Sequence, residues 1–367
     1  MKLLRNVAAL TIGAVNAAFT VAFLLTAYSP YIQPVEHPLR SCLGLAFPIF
    51  LITNICFLFF WLIIQHYKLA LLPLAGMLLA YPQIRTYMPV NFHTDHLPEE
   101  SLKILSYNIM GFDGCTKKDG KNPILTYLQE SGADILCLQE YATSNSKQHL
   151  TQKDIDHALK DYPYHRIDKL GNSQATTNRI ACYSKYPILS TRKLDYKSNY
   201  NGSVVYELKI GKDTLTLINN HLESNKLTKE DKVVYEDMLA SPQRDKVESG
   251  ARLLLGKLAE ASALRAPQAD AIAQAVEQSK YSTVIVCGDF NDTPISYTHR
   301  VASQGLNDAF TQSGQGLGIS YNQNKFYFRI DHILTSKNLQ TYNCTVDKSI
   351  KDSDHYPIWC YFTFKEK

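Results

Sequence analysis

The sequence predicts an α/β fold: a mixed-sheet sandwich preceded by an N-terminal transmembrane helical region. Three observations carry this. Residues 1–97 are strongly apolar, whereas the remainder of the 367-residue chain is mixed. Short apolar runs of strand length recur along the mixed part, several ending on Asn, Asp, Glu or His. A segment between them is rich in Ala, Leu, Glu, Lys and Gln, a composition that favours helices. Strands alternating with helices, with hairpins among them, form a layered sandwich. A chain of this length has room for about two units.

Three apolar segments fill the first unit, residues 1–90: roughly Val7–Tyr28, Cys42–Ile64 and Leu69–Val90. A helix that crosses a bilayer needs about 20 mainly apolar residues. The first two segments meet this, while Pro73, Pro82, Gln83 and Arg85 interrupt the third. A buried helical core, or a cleaved signal for the first segment, is the alternative; three such runs together favour the membrane. Lys2 and Arg5 flank the start, Lys68 and His66 lie in the second loop, and Arg40 in the first loop is offset by Glu36. By the positive-inside rule the N-terminus is cytoplasmic and the C-terminal domain extracytoplasmic. Two spans instead of three would reverse the side of the domain.

Residues 91–101, with Pro98, Glu99 and Glu100, read as a linker to a domain of residues 102–367. That domain opens with a strand at Leu102–Ile109 and a helix at Asn122–Ser131, ending before Gly132. Asp134–Gln139, Arg179–Ser184, Ser203–Ile210 and Thr214–Asn219 read as strands, with Gly211-Lys212-Asp213 as a hairpin turn. Residues 226–279 read as two or three helices with boundaries at Pro242 and Pro267. Tyr281–Cys287, Arg329–Leu334, Thr341–Val346 and Pro357–Phe364 complete the strands.

The net charge is +4, and residues 1–97 hold five basic and two acidic side chains, so the rest carries only +1. That near-neutral balance argues against a strongly DNA-gripping surface, although Lys117, Lys118 and Lys121 form a small basic cluster. None of the eight cysteines forms a C-x-x-C pair, which argues against zinc. Cys137, Cys182, Cys287 and Cys360 sit in strand-like runs and read as small buried hydrophobes. A disulfide between two of them stays open.

Five polar clusters carry chemistry. Glu140 ends an apolar strand, a good place for a carboxylate that binds a hard divalent cation. Asn108, at the end of another, offers a neutral amide oxygen. Asn219-Asn220-His221 places an imidazole and amides where a phosphate oxygen accepts hydrogen bonds. In Gly288-Asp289-Phe290-Asn291 the glycine permits a tight exit from the strand, and Asp289 and Asn291 return to one side to position a water. Asp331 stands where an acid orients an imidazole. Asp354-His355 then supplies a carboxylate for metal and an imidazole for phosphate. Each alone also fits a plainer role: a turn residue, a structural histidine, or an Asp331–Arg329 salt bridge.

Taken in order, the motifs SYNI (106–109), LQE (138–140), SKYPI (184–188), NNHLES (219–224), GDFND (288–292), RIDHIL (329–334) and SDHYPI (353–358) resemble the endonuclease/exonuclease/phosphatase superfamily, the deoxyribonuclease I-like fold, over residues 101–365. The match to membrane-tethered bacterial members is the closest. The resemblance implies a four-layer α/β sandwich of two facing mixed sheets flanked by helices, and Mg2+ or Mn2+. It implies Glu140 as main metal ligand, helped by Asn108 and Asp354. Asp289 would activate or align water and Asn291 position it. His221 and Asn219 would contact the scissile phosphate, and Asp331 would orient His355 against the charge growing on the phosphoryl oxygens. Residues 226–279 are long for their place in the family pattern, and form either a lid or wall over the site or a surface insertion.

The expected function is a membrane-anchored, divalent-metal-dependent phosphoester hydrolase acting on nucleic acid, phospholipid or a phosphorylated small molecule. Lipid head-group cleavage of the sphingomyelinase-like kind and inositol-phosphate removal are the alternatives, with a non-catalytic membrane binding module as the contrasting class. The bilayer is an expected partner, and no protein partner is evident.

Overall fold

A computed structural model of the chain describes residues 2–172, 175, 177–240, 243–323 and 326–365. Pro242, one expected helix boundary, lies outside them.

The apolar region folds as α1 (Lys2–Ala27), the short α2 (Pro38–Ser41), α3 (Phe47–Ile63), α4 (Tyr67–Leu79) and α5 (Tyr81–Tyr87). Near its middle α1 meets the far end of α3, where Trp61 Nε1 donates to Asn16 Oδ1 at 2.9 Å. At its C-terminal end it meets the start of α3, where Phe23 stacks on Phe47 at 5.4 Å. Thr20 Oγ1 donates to Asn54 Oδ1 at 2.8 Å between these two points. Such interhelical hydrogen bonds are what hold helices together where the surroundings are apolar.

Val7–Ala27 and Pro38–Ile63 are long and apolar enough to cross a bilayer. The third segment is not one helix. It breaks at Ala80 because Pro82 takes the first turn of α5. The 13 residues of α4 reach only about 20 Å at 1.5 Å per residue.

The strands are β1 (Leu102–Asn108), β2 (Ile135–Gln139), β3 (Tyr164–Lys169), β4 (Arg179–Ser184), β5 (Ile188–Lys193), β6 (Gly202–Ile210), β7 (Asp213–His221), β8 (Thr283–Asp289), β9 (Leu306–Asp308), β10 (Tyr321–Gln323), β11 (Phe326–Phe328), β12 (Asp331–Ser336), β13 (Leu339–Val346) and β14 (Ile358–Phe364). One sheet has the order β13-β14-β1-β2-β4-β3, the other β5-β6-β7-β8-β12-β9, and β10-β11 is a separate hairpin. β1–β2 and β7–β8 are parallel, and the other pairs are antiparallel. The main core lies between the sheets and includes Ile104, Leu217, Ile285 and Phe362. Cys137, Cys182 and Cys287 are buried there as free thiols, as is Cys360.

After β1 the chain makes a left-handed turn, α6 (Met110–Cys115), in which Gly111, Phe112, Asp113 and Gly114 all have positive φ. The glycines make half of it inexpensive. Helices α7 (Pro123–Glu130) and α8 (Gln152–Ala158) cover the outer face of the first sheet through Ile124, Leu128 and Ile155. The 226–279 region holds α9 (Lys229–Ala240) and α10 (Arg244–Glu277). α10 covers the second sheet through Ile272 and Ala275.

Pro267 was expected to end a helix, but α10 runs straight through it. A proline inside a helix removes one hydrogen bond. Here Ala266 and Ala269, on either side, are buried against Tyr297 and Val301 of α11 (Tyr297–Ala302), and this packing holds the helix together. α12 (Ala309–Ser313) follows β9.

The helical bundle docks on the sandwich. Gln33 Nε2 donates to Tyr297 Oη at 3.3 Å, and Arg300 Nε to Pro30 O at 2.7 Å. Ser41 Oγ lies 3.4 Å from Ser262 Oγ of α10. A Cβ at Gly44 would stand 2.0 Å from Ile295 O, so only glycine permits this approach. Arg329 donates to Thr86 O near the end of α5.

Candidate active site

Parallel pairing brings the site residues to one end of the sandwich. Asn108 closes β1 and Glu140 directly follows its neighbour β2. His221 closes β7 in register with Asp289, which closes β8. Asp331 opens β12 directly opposite Asp289. His355 precedes β14, and its backbone bridges Tyr321 of the hairpin. Glu140 and Asn291 have φ of 54° and 52°, the left-handed region that non-glycine residues seldom adopt. Gly288, at φ 132°, lies so near the β7 backbone that a Cβ would meet Asn220 O at 2.0 Å.

The side chains form one network. Asn108 Nδ2 donates to Asp289 Oδ2 at 3.1 Å and to Glu140 Oε1 at 3.3 Å. His221 Nε2 lies 3.6 Å from Glu140 Oε1 and 3.8 Å from Asp289 Oδ2. His355 Nε2 lies 3.6 Å from Asp289 Oδ2, and its Nδ1 lies 2.8 Å from Asp331 Oδ2. Asp289 Oδ1 accepts from Asn291 N at 2.8 Å, and Asn291 Nδ2 donates to Leu222 O at 3.0 Å. The buried atoms His221 Nδ1 and Asp331 Oδ1 have no hydrogen-bond partner among the described residues.

Burial lifts the Glu140 carboxyl above the usual range, and the charge of Asp354 lifts it further. Asp289 rises to about 6, chiefly through burial, with His355 opposing. Burial disfavours the charged His355 ring, but Asp331, Asp289 and Asp354 outweigh it and hold its pKa well above the usual value. For His221 burial wins over the attraction of Asp289, and its pKa falls. Of the two imidazoles, one is held protonated and the other neutral.

The residues fit a hard divalent cation. Glu140 and Asp354 line one cavity and repel each other, which is the arrangement a cation relieves. The Asn108 amide turns its nitrogen to the carboxylates, while its oxygen accepts from Met110 N at 3.2 Å. To act as a ligand, the amide exchanges its two ends.

Asn219 departs from expectation. It was expected at the phosphate, yet it lies one layer below, fully buried. Its Oδ1 accepts from Gln139 Nε2 at 2.7 Å and its Nδ2 donates to Ala181 O at 3.1 Å. Two residues before His221 it shares that residue's face of the strand but sits deeper between the sheets.

Ser353 of the SDHYPI motif, and Ser320, Tyr321 and Arg265, which carry no motif signal, complete the surroundings. Ser320 Oγ accepts from the N–H groups of Ile330 and Asp331, both at 3.1 Å. Ser353 Oγ donates to Asn108 O at 2.7 Å. The Tyr321 ring packs edge-on at 5.1 Å against His355. Arg265 of α10 is buried, with Nη1 donating to Glu223 O at 2.9 Å and Asn225 Oδ1 at 2.8 Å, and Nε to Asp292 Oδ2 at 3.2 Å.

The site opens into a cavity of about 580 Å³ that Glu140, His221, Asp289, Asn291, Asp354 and His355 line. Two parallel strand pairs thus place carboxylates, a charged imidazole and a neutral one around a single space, on a two-sheet α/β sandwich. Residues 105–355 match the model of the endonuclease/exonuclease/phosphatase family, and the chain belongs to that family. It is an enzyme of a class that hydrolyses phosphoester bonds with a divalent metal. Residues 9–87 match a domain of unknown function. No curated protein matches the sequence.

Among solved structures, the chain is similar to D. rerio TDP2 humanized by 14 mutations, at 17% identity and TM-score 0.50, covering 72% of this chain and 99% of that one. It is similar to D. rerio TDP2 complexed with a single strand DNA product, at 18% identity and TM-score 0.50, covering 72% and 100%. An endonuclease/exonuclease/phosphatase from Beutenbergia cavernae gives 12% identity and TM-score 0.50, covering 72% of each. At these identities the likeness concerns the fold, and the four-layer sandwich expected from the sequence is the fold found.

Proposed function

We propose that the chain is a membrane-anchored, Mg2+-dependent phosphoester hydrolase, with residues 1–90 as anchor and residues 102–367 as the catalytic domain. The observation that carries the mechanism is the convergence of Asp289, His355 and the Glu140–Asp354 pair on one cavity. Glu140 is the main cation ligand, with Asp354 and the turned amide of Asn108. Mg2+, or Mn2+ in its place, supplies charge neutralisation at the phosphoryl oxygens.

The protein's own groups do the rest. Asp289 takes a proton from the attacking water, and Asn291 holds that water in line through its amide oxygen. The water oxygen bonds to phosphorus as the P–O ester bond breaks, and the leaving oxygen departs with the bonding pair and takes up a proton from solvent, while Asp289 returns its own to solvent. His355, held protonated beside Asp331, donates to a phosphoryl oxygen as charge grows there, and His221 donates to a second. Asn219 supports this layer from below through Gln139.

The anchor's orientation rests on its geometry. The loop at Ile64–His66 and the N-terminal half of α1 lie at one end of the bundle, and the domain docks at the other. Lys2, Arg5 and Lys68 put the first end in the cytoplasm by the positive-inside rule, and the domain outside.

The test is the full chain in detergent with bis-(p-nitrophenyl) phosphate and Mg2+. Turnover that requires the metal and is lost in His355→Ala is expected. No turnover of this diester, of plasmid DNA or of sphingomyelin would sink the proposal.

A further inference from the structure

The cavity has two unlike ends. Beyond the catalytic carboxylates it continues past Met238, Leu254, Leu255 and Leu258 of the α9–α10 pair to Leu45, just before α3, and Ile49 in its first turn. One wall of this corridor belongs to a candidate membrane span, Pro38–Ile63. On the other side of Asp354 a polar recess of about 370 Å³ is lined by Lys118, Lys232, Lys351 and Ser353.

The walls are built rather than accidental. Gly250 lets α10 pack tightly on α9, since a Cβ there would stand 2.5 Å from Met238 Sδ. Tyr235 of α9 stacks on Phe326 of the hairpin at 4.1 Å, and Lys232 Nζ donates to Tyr321 Oη at 2.9 Å. Tyr321 in turn packs on His355, so the corridor and the site share a wall.

The outer surface continues the same chemistry. Leu253, Leu255 and Leu264 of α10 are exposed, as are Ile49 and Ile52 of α3. A helix pair that exposes leucines beside a membrane span faces acyl chains without loss.

We infer that the substrate is an amphiphilic phosphoester, a lipid whose phosphate seats at Glu140 and His355 while its hydrocarbon chain lies in the corridor between α3 and α10. This rests on the phosphoester-hydrolase reading above and names its substrate class. A cavity of 580 Å³ is within the roughly 300–1,000 Å³ of small-molecule sites, which hold mostly apolar ligands by a few polar groups. A nucleic-acid strand has no use for the corridor, and residues 98–367, linker end and domain together, carry a net charge of only +1. The substrate enters sideways from the leaflet on the domain side.

The test compares methyl and hexadecyl p-nitrophenyl phosphate, which share a leaving group and differ only in the tail. The full chain is assayed with Mg2+ in one detergent. The expected kcat/KM for the hexadecyl diester exceeds that for the methyl diester by about tenfold or more, the effect of two or three buried methylenes. Leu258→Trp and Ile49→Trp, which fill the corridor, lower that ratio towards one. Equal kcat/KM for the two diesters on the unmodified chain overturns the inference, whatever the variants do. Faster cleavage of single-stranded DNA than of the hexadecyl diester overturns it too. Turnover of bis-(p-nitrophenyl) phosphate with no tail preference rejects the lipid and leaves the hydrolase; no turnover of any diester rejects the hydrolase itself.

Discussion

His355 Nδ1 lies 2.8 Å from Asp331 Oδ2, and both side chains are buried. The carboxylate accepts the Nδ1 proton, which turns the other ring nitrogen towards Asp289 and the cavity. Ser320 Oγ accepts from the N–H groups of Ile330 and Asp331, which pins the backbone that carries the acid. The pair fixes both the direction and the charge of the imidazole.

Asp331→Asn therefore acts twice. The expected kcat falls by about 10²–10⁴-fold, the range for a misoriented or misprotonated catalytic imidazole. Asp331 is among the charges that raise the pKa of His355, so its loss lowers that pKa. The protonated ring then disappears at lower pH, and the alkaline limb of the rate profile moves towards acid. A pH–rate profile of the variant with its alkaline limb unmoved would refute the orientation role.

The metal reading is tested at Glu140. Asp354 raises its pKa by repulsion, and a cation between the two carboxylates removes that repulsion. Mg2+ is expected to raise the melting temperature of the unmodified chain, because a ligand bound only to the folded state stabilises it by mass action. Glu140→Gln is expected to lose most of that increase, together with Mg2+-dependent turnover. A variant with the same Mg2+-induced shift as the unmodified chain would place the cation elsewhere.

Much of the site was legible because its residues close strands. Asn108, Glu140, His221 and Asp289 each end an apolar run, and a polar residue there has to leave the sheet at its rim. Asn219 misled because sequence order does not tell depth: the interior between the sheets takes a hydrogen-bonded amide two residues short of the rim. β3 and β5 were missed because they are edge strands with polar, exposed side chains such as Arg166, Ser190 and Arg192, and so lack an apolar run. Arg265 was invisible because its partners, Glu223, Asn225 and Asp292, meet it only when α10 folds over the rim. The family match covers the sandwich, but the corridor depends on how α3 lies against α10, which no motif encodes.

A second buried acid–histidine contact, away from the catalytic groups, bears on acid stability. Asp308 Oδ2 lies 3.1 Å from His299 Nε2, and its Oδ1 accepts from Phe310 N at 2.8 Å and Thr311 N at 3.1 Å. Burial alone would raise the Asp308 pKa, but His299, by hydrogen bond and charge, and Arg329, by charge, win and hold it below the usual carboxylate range. A depressed folded pKa stabilises above the unfolded value of about 3.9 and is lost as pH falls through the folded one. Asp308→Asn is expected to destabilise by about 3 kcal/mol at pH 7, leaving His299 and Arg329 without the charge. The gap between the two proteins narrows below about pH 4. Denaturant melts at pH 7 and pH 3 that differ by the same amount would rule this out.

On the proposed anchoring, the side of the membrane depends on the number of crossings. α1 ends and α3 begins at the domain, since Tyr31 packs on Arg300 at 4.8 Å and Gly44 abuts Ile295. α3 ends at the far side, where Trp61 packs edge-on to His66 at 6.0 Å. The chain must then return to reach residue 91, whose amide donates to Gly314 O of the sandwich at 2.6 Å. α4 and α5 make this return, bent at Ala80 because Pro82 interrupts the helix. On the proposed anchoring, three passages would put Lys2 and the domain on opposite sides even though the third is not one long helix. An alkaline phosphatase fused after Lys367 is thus expected to be active, since that enzyme needs an oxidising compartment for its disulfides. A cytoplasmic reporter at the same position is expected to stay dark. The reverse pair of signals would mean that α4 and α5 never cross, and that the domain lies on the side of Lys2 and Arg5.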